Sequence, residues 1–202
     1  SGGINGQPLE VIYEDGKCNG KDAASAMQKL VSVDKVKLVL GGFCSSESLA
    51  AVPVAESSKV VLFSLGSSSP DLTGISSYFF RDYPSDASQG KVLAEVAYNK
   101  KGWRKVAFIQ EQLDYPLGIY KAFAAAFENF GGQVSKEEYP STATDFRSII
   151  SKVKAKKPDA VFVDAQTPAP ANRIFKQMQE LDLKVPLLIS DAVSGDPETV
   201  KN

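Results

Sequence analysis

Histidine is absent from this sequence. Its absence excludes Ser-His-Asp and Cys-His catalysis within the chain, and it removes the commonest zinc ligand. Cysteine occurs only as Cys18 and Cys44, too few for a zinc site, so no metal centre is expected. No apolar run approaches the roughly 18–20 residues needed to cross a bilayer. The opening residues do not read as a secretory signal, which leaves the compartment to be argued from other features. Neither sign of charge dominates: Lys+Arg 23 against Asp+Glu 24 give a formal net charge of -1, without a basic block suited to nucleic acid or an anionic membrane. No G-x-G-x-x-G or G-x-x-x-x-G-K-[ST] follows any predicted strand, which argues against a nucleotide-dependent enzyme.

What is present is an ordinary globular composition, 43% hydrophobic and 23% charged over 202 residues, enough for one large or two small domains. Short β-rich apolar runs alternate with amphipathic helical segments. Strands are expected at 9–14, 36–42 and 59–64, with helices at 21–31 and 46–58, Pro53 falling in or near the first turns of the latter. An extended piece follows at 78–84. The rhythm resumes with helices at 88–102, 118–130, 144–158 and one opening at Thr167-Pro168, and with strands at 105–110, 133–139, 160–165 and 186–190. Phe123, Phe127 and Phe130 share a helix face, as do Ile149, Ile150 and Val153 with Phe146, and Thr144 is the expected N-cap. Continuous apolar strands linked by helices mean parallel sheets covered on both faces, a doubly wound α/β fold. The break at 78–84 divides it into two lobes, 1–82 and 83–202.

In open parallel sheets, ligands sit beyond the carboxyl ends of the strands. Two such exits are rich in hydroxyls: "GGFCSSES" at 41–48 and "SLGSSSP" at 64–70. Ser45 and Ser46 stand where a strand hands over to a helix, whose free N–H groups favour negative charge. Gly66 allows close backbone approach, and Ser67, Ser68 and Ser69 are small donors. Together they suit a carboxylate, although serines after strands also serve as caps and turns. Tyr115 and Asp191 stand at strand exits of the second lobe, where an aromatic and a carboxylate face either a ligand or the loop itself. Cys18 and Cys44 both follow strand ends; neighbouring strands would bring them within disulfide reach, and two unpaired thiols are the alternative.

These motifs, in the order "GGINGQPLEVIYEDGKC", "GGFCSSES", "SLGSSSPDLT", "FRDYPSDASQG" and "DYPLG", resemble the periplasmic substrate-binding proteins of ABC transporters, in the leucine/isoleucine/valine-binding branch of the type I fold. The resemblance covers essentially the whole chain. It implies two α/β lobes that close on a small amino-acid-like ligand, no enzymatic activity, no cofactor, a periplasmic or extracellular location, and membrane permease subunits as partners. It implies a Cys18–Cys44 disulfide, the ligand carboxylate at Ser45 and Ser67-Ser68, Asp86 near the lobe interface, Tyr115 on the second-lobe wall and Asp191 on the ammonium. Gln166 and Thr167 stand where amino-acid binders tend to carry an aromatic, so that wall is more polar. It further implies that the family's opening strand and helix, and its final third, are missing here. A ligand-sensing domain of a receptor, or an amide- or urea-type regulator, is the alternative on the same fold.

Overall fold

The computed structural model of the protein describes residues 3–201. The chain forms two compact units, the first built of Ser1–Ser67 and Gly74–Tyr83, the second of Ser68–Thr73 and Pro84–Asn202. The short run 68–73 joins the second unit for a local reason. Pro70 lies so close to Gly118 that an added Cβ there would sit 2.7 Å from the proline ring, and Asp71 pairs with Lys121 at 3.0 Å.

In the first unit, α1 (Gly20–Ser32) opens on Asn19, whose side chain accepts from the Asp22 N–H at 2.9 Å, and buries Ala23, Met27 and Leu30 on one stripe. β1 (Leu38–Leu40), β2 (Val61–Ser64) and β3 (Phe79–Arg81) form a parallel sheet in that order, with Leu38 opposite Val61 and Leu62 opposite Phe79. Between β1 and β2 runs α2 (Ser45–Ser58). Pro53 stands in the body of this helix rather than its first turns, on an exposed position where water can serve the carbonyl left without an N–H partner.

The strand expected at 9–14 does not form. Residues 8–16 join no ladder, and Leu9, Val11 and Tyr13 are 70%, 54% and 85% exposed. Strand propensity without a hydrogen-bonded neighbour leaves the backbone groups to water. Beside this segment lies an apolar cavity of about 870 Å³, lined among others by Leu9, Val11, Met27, Leu38 and Leu40.

The second unit is a four-stranded parallel sheet in the order β5-β4-β6-β7, made of β4 (Lys105–Glu111), β5 (Gln133–Tyr139), β6 (Ala160–Asp164) and β7 (Leu187–Ile189). Alternate residues of β4 and β6 face opposite helix layers, as the period of 2 requires. Val106, Phe108 and Phe162 pack with α3 (Asp86–Glu95) and α4 (Asp114–Asn129), while Ala107, Ile109, Val161 and Val163 pack with α5 (Arg147–Ala155) and α6 (Pro168–Glu180). The rings of Phe108 and Phe162 lie 4.3 Å apart at the centre of the first layer. Two short helices, α7 (Asp191–Ser194) and α8 (Pro197–Lys201), follow β7.

Helix boundaries shift for identifiable reasons. α3 begins at Asp86 because Ser85 caps it by accepting from Ala87 N–H, and it ends in a π-helical turn, Val96–Lys100, before Gly102 at φ 74°. α4 starts a turn before 118, so Tyr115 belongs to its first turn and not to a loop. Phe146, not Thr144, takes the N-cap position of α5: the Gln177 side chain of α6 accepts from Phe146 N–H at 2.6 Å and donates to the Thr144 carbonyl at 3.2 Å. Phe123 and Phe127 are fully buried, whereas Phe130 terminates α4 and is 37% exposed.

Gly90 sets the spacing of α3 and α4. A Cβ there would lie 2.6 Å from the Ala122 methyl and 2.7 Å from the Phe123 nitrogen. Gly90→Val is therefore expected to destabilise the second unit by about 1–3 kcal/mol through overpacking, read as a lower urea midpoint at unchanged slope.

Candidate functional site

In the first unit the hydroxyl-rich strand ends are held by one another. Gly42 adopts φ 68°, and a Cβ on it would lie 2.3 Å from the Ser48 hydroxyl oxygen. The Gly42 carbonyl accepts from three hydroxyls: Ser64 and Ser67, each at 2.6 Å, and Ser48 at 3.0 Å. The Ser48 and Ser67 oxygens are themselves 2.7 Å apart, and the Ser67 N–H donates to Ser64 Oγ at 3.0 Å. The Ser67 hydroxyl is thus taken up inside the unit, tying the two exits together, and Arg81 donates to the Ser67 carbonyl at 3.1 Å. Ser45, 1% exposed, opens α2; Ser46 beside it and Gly66 on the second exit are half-buried. In that first turn the Glu47 N–H already donates to the Cys44 carbonyl at 3.0 Å, and the Ser48 N–H follows at 3.2 Å. Gly66 faces the Phe43 ring, which a Cβ would approach to 2.6 Å.

Cys18 and Cys44 form a disulfide, with α-carbons 5.3 Å apart. Glu47 braces it from α2: its carboxylate accepts from the Cys44 N–H at 3.0 Å and from the Cys18 N–H at 3.1 Å. Glu47 is 9% exposed. One buried carboxylate therefore holds both half-cystine backbones and fixes the start of the helix that carries Ser45. Glu47 went unnoticed in the sequence, although a Glu three residues after the helix-opening Cys44 is the capping-box spacing.

The second unit gathers acids at the carboxyl ends of its strands. Tyr115 donates its phenol to Asp191 Oδ1 at 2.7 Å and accepts from the Ala192 N–H at 3.4 Å. Burial, with Asp164 and Asp191 nearby, pushes the Tyr115 phenol well up, so it stays a donor. Glu111 ends β4 and accepts from the Gln166 N–H at 2.9 Å. Asp164, at the end of β6 and opposite Gln110 in register, is 0% exposed, and neither of its oxygens has a hydrogen-bond partner among the described residues. Burial holds its carboxyl well above the usual carboxylate range; Ser190 opposes this, while Asp86, Asp191 and Glu111 reinforce it. The Ser190 hydroxyl lies close enough to favour the charged form, yet neither group completes a hydrogen bond.

Of the residues singled out from the sequence, Ser45, Ser46, Gly66 and Ser67 belong to the first unit. Ser68, Asp86, Tyr115, Gln166, Thr167 and Asp191 belong to the second. Within the second unit the structure brings Tyr115, Asp191 and the backbone of Gln166 to one set of strand ends. The Ser68 carbonyl accepts from the Asp86 N–H at 2.9 Å, anchoring the start of α3. Thr167 is the exposed N-cap of α6, without a side-chain cap bond. Asp164 and Glu111 were not anticipated; the available signal was an acid closing each of two otherwise apolar strands. Among the described residues, no cluster of His, Cys, Asp or Glu suits a metal ion, and no helix is long and apolar enough to cross a membrane.

Comparison with known proteins places these features in context. The sequence profile of a family described as periplasmic binding protein matches residues 1–202. An amino acid binding protein of Pseudomonas aeruginosa is 29% identical over 212 residues, covering 100% of this chain and 56% of that protein. Among solved structures, a leucine binding protein from Thermotoga maritima superposes with a TM-score of 0.89 at 27% identity, covering 97% of this chain and 56% of that one. An ABC transporter solute binding protein from R. palustris, in complex with 4-hydroxybenzoate, gives 0.81 at 25% identity, covering 95% and 53%. The chain thus spans about half the length of the relatives it matches.

Proposed function

Since the chain belongs to the periplasmic binding protein family, whose matched members are binding proteins and not enzymes, we propose that it serves an ABC importer by capturing a small amino acid. The carrying observation is the Tyr115–Asp191 pair, bonded at 2.7 Å. A phenol held as donor leaves Asp191 as an oriented anion, a fitting partner for an ammonium group. On the first unit, the first turn of α2 with Ser45, Ser46 and Gly66 offers donors suited to the ligand's carboxylate without a cationic side chain, and Ser68 of the second unit is a further donor in this reading. A ligand that engages both sets of groups stabilises the arrangement in which both touch it, which is the thermodynamic basis of closure.

The disulfide favours an oxidising compartment, hence the periplasm or cell exterior, with membrane permease subunits as receiving partners. Gln166 and Thr167 give the second-unit wall a polar character, which supports amides or ureas as the alternative ligand class of a sensing domain.

Thermal-shift screening of the full-length gene product against amino acids, amides, ureas and aromatic acids tests the reading. An amino acid at a hundred times its Kd should add roughly 2.7 kcal/mol of stability. Shifts produced only by acids that lack an amine would overturn it.

A further inference from the structure

The carboxylate of Glu47 joins two segments of the first unit whose cysteines stand 26 positions apart in sequence. Its Oε1 accepts from the Cys18 N–H at 3.1 Å and its Oε2 from the Cys44 N–H at 3.0 Å. The bond to Cys44 belongs to the capping box of α2. The bond to Cys18 adds nothing to that helix; it fastens the loop before α1 to the start of α2. A side chain 9% exposed therefore spends one oxygen on its own helix and the other on a distant backbone.

The loop it holds is strained. Lys17 and Cys18 adopt φ 50° and 54°, two consecutive non-glycine residues in the left-handed region, where Cβ crowds the following carbonyl. Such a conformation persists only where its surroundings impose it. Two ties do so here, the Cys18–Cys44 bond and the hydrogen bond from the Cys18 N–H to Glu47. Gly16 is fitted to the same carboxylate, since a Cβ on it would collide with Glu47 Oε1. Ser45 and Ser46 follow Cys44 directly in the chain, so a shift of the Cys44 backbone carries them with it.

We propose that Glu47 is a positioning residue for the carboxylate end of the ligand: through Cys44 it sets where Ser45 and Ser46 stand, and through Cys18 it keeps the strained loop fastened to α2 with or without the disulfide. This rests on the reading that Ser45 and Ser46 receive that carboxylate. Both Glu47 oxygens point to the half-cystine backbones, so the residue acts through them and not on the ligand. The two ties restrain one loop. Removing either leaves the other in place, whereas removing both lets the left-handed residues relax. The effects of the two removals are therefore non-additive.

Calorimetry on the full-length gene product tests this with two sets of compounds: L-leucine, isocaproate and isopentylamine, and L-alanine, propionate and ethylamine. In each set the second compound lacks the amine and the third lacks the carboxylate. Glu47→Gln leaves one acceptor oxygen for two N–H donors. It should weaken the amino acid and the bare acid by the same factor, about three- to tenfold, and leave the amine, measured by displacement, unchanged. In the Cys18→Ser, Cys44→Ser background the same change should cost at least about threefold more. General loosening of the fold would instead weaken all three compounds alike. Should Glu47→Gln fail to fold, Gly16→Ala pushes Oε1 off the Cys18 N–H from the loop side and should give the same pattern. If the acids keep their affinity, if the amine loses as much as they do, or if the factor is no larger in the serine background, Glu47 does not position the carboxylate site, while the binding function stands. If neither amino acid binds the unaltered protein, the amino-acid reading fails as well.

Discussion

Asp191→Ala is expected to weaken L-leucine binding by about ten- to a hundredfold, while isocaproate binding changes little. A hydrogen bond to a charged group contributes roughly 1.5–3 kcal/mol, and the Tyr115 hydroxyl at 2.7 Å fixes the carboxylate that would make it. Tyr115→Phe removes the donor and leaves the ring, so its effect should be smaller and confined to the same amine-bearing ligand. Calorimetry on both variants checks the order. An equal loss for isocaproate would mean that Asp191 supports the fold of α7 and does not meet an ammonium.

The second large effect concerns stability. The Cys18–Cys44 bridge spans a sequence separation of 26, and closing a loop of that size stabilises by about 3.5 kcal/mol in the chain-entropy model. The double variant Cys18→Ser, Cys44→Ser should lower the unfolding free energy of the first unit by that order, detected as a lower urea midpoint. The same shift should appear when the unaltered protein is measured with reductant. Cys44 is also the N-cap residue of α2, and Glu47 grips both half-cystine backbones. Loss of the bridge should therefore loosen the position of Ser45 and reduce ligand affinity as well. Identical midpoints with and without reductant would contradict this account.

The pattern of apolar runs made most of the second unit legible. β5 fell at 133–139 as expected, although only Tyr139 of it is buried, and β4 and β6 fell each within one residue, because long buried strands carry a signal that little else imitates. The segment 9–14 has the same composition but no ladder, since pairing is a property of neighbours and not of the segment. Helix starts were misjudged where the cap was tertiary: the Gln177 side chain, 31 residues away from Phe146, decides where α5 begins. The same limit applied to the site. Serines at strand ends are visible in sequence, but that Ser67 spends its hydroxyl on the Gly42 carbonyl is visible only in three dimensions. Asp164 fell inside the strand expected at 160–165, and that both its oxygens lack partners among the described residues is visible only in three dimensions.

The most direct measurement is diffraction from crystals of the full-length gene product grown with the amino acid that gives the largest thermal shift. The account predicts the ligand's nitrogen within hydrogen-bond distance of Asp191 and its carboxylate on the first turn of α2 with Ser45, Ser46 and Ser68. A ligand with its carboxylate at Asp191, or one lodged in the apolar cavity beside β1, would contradict it.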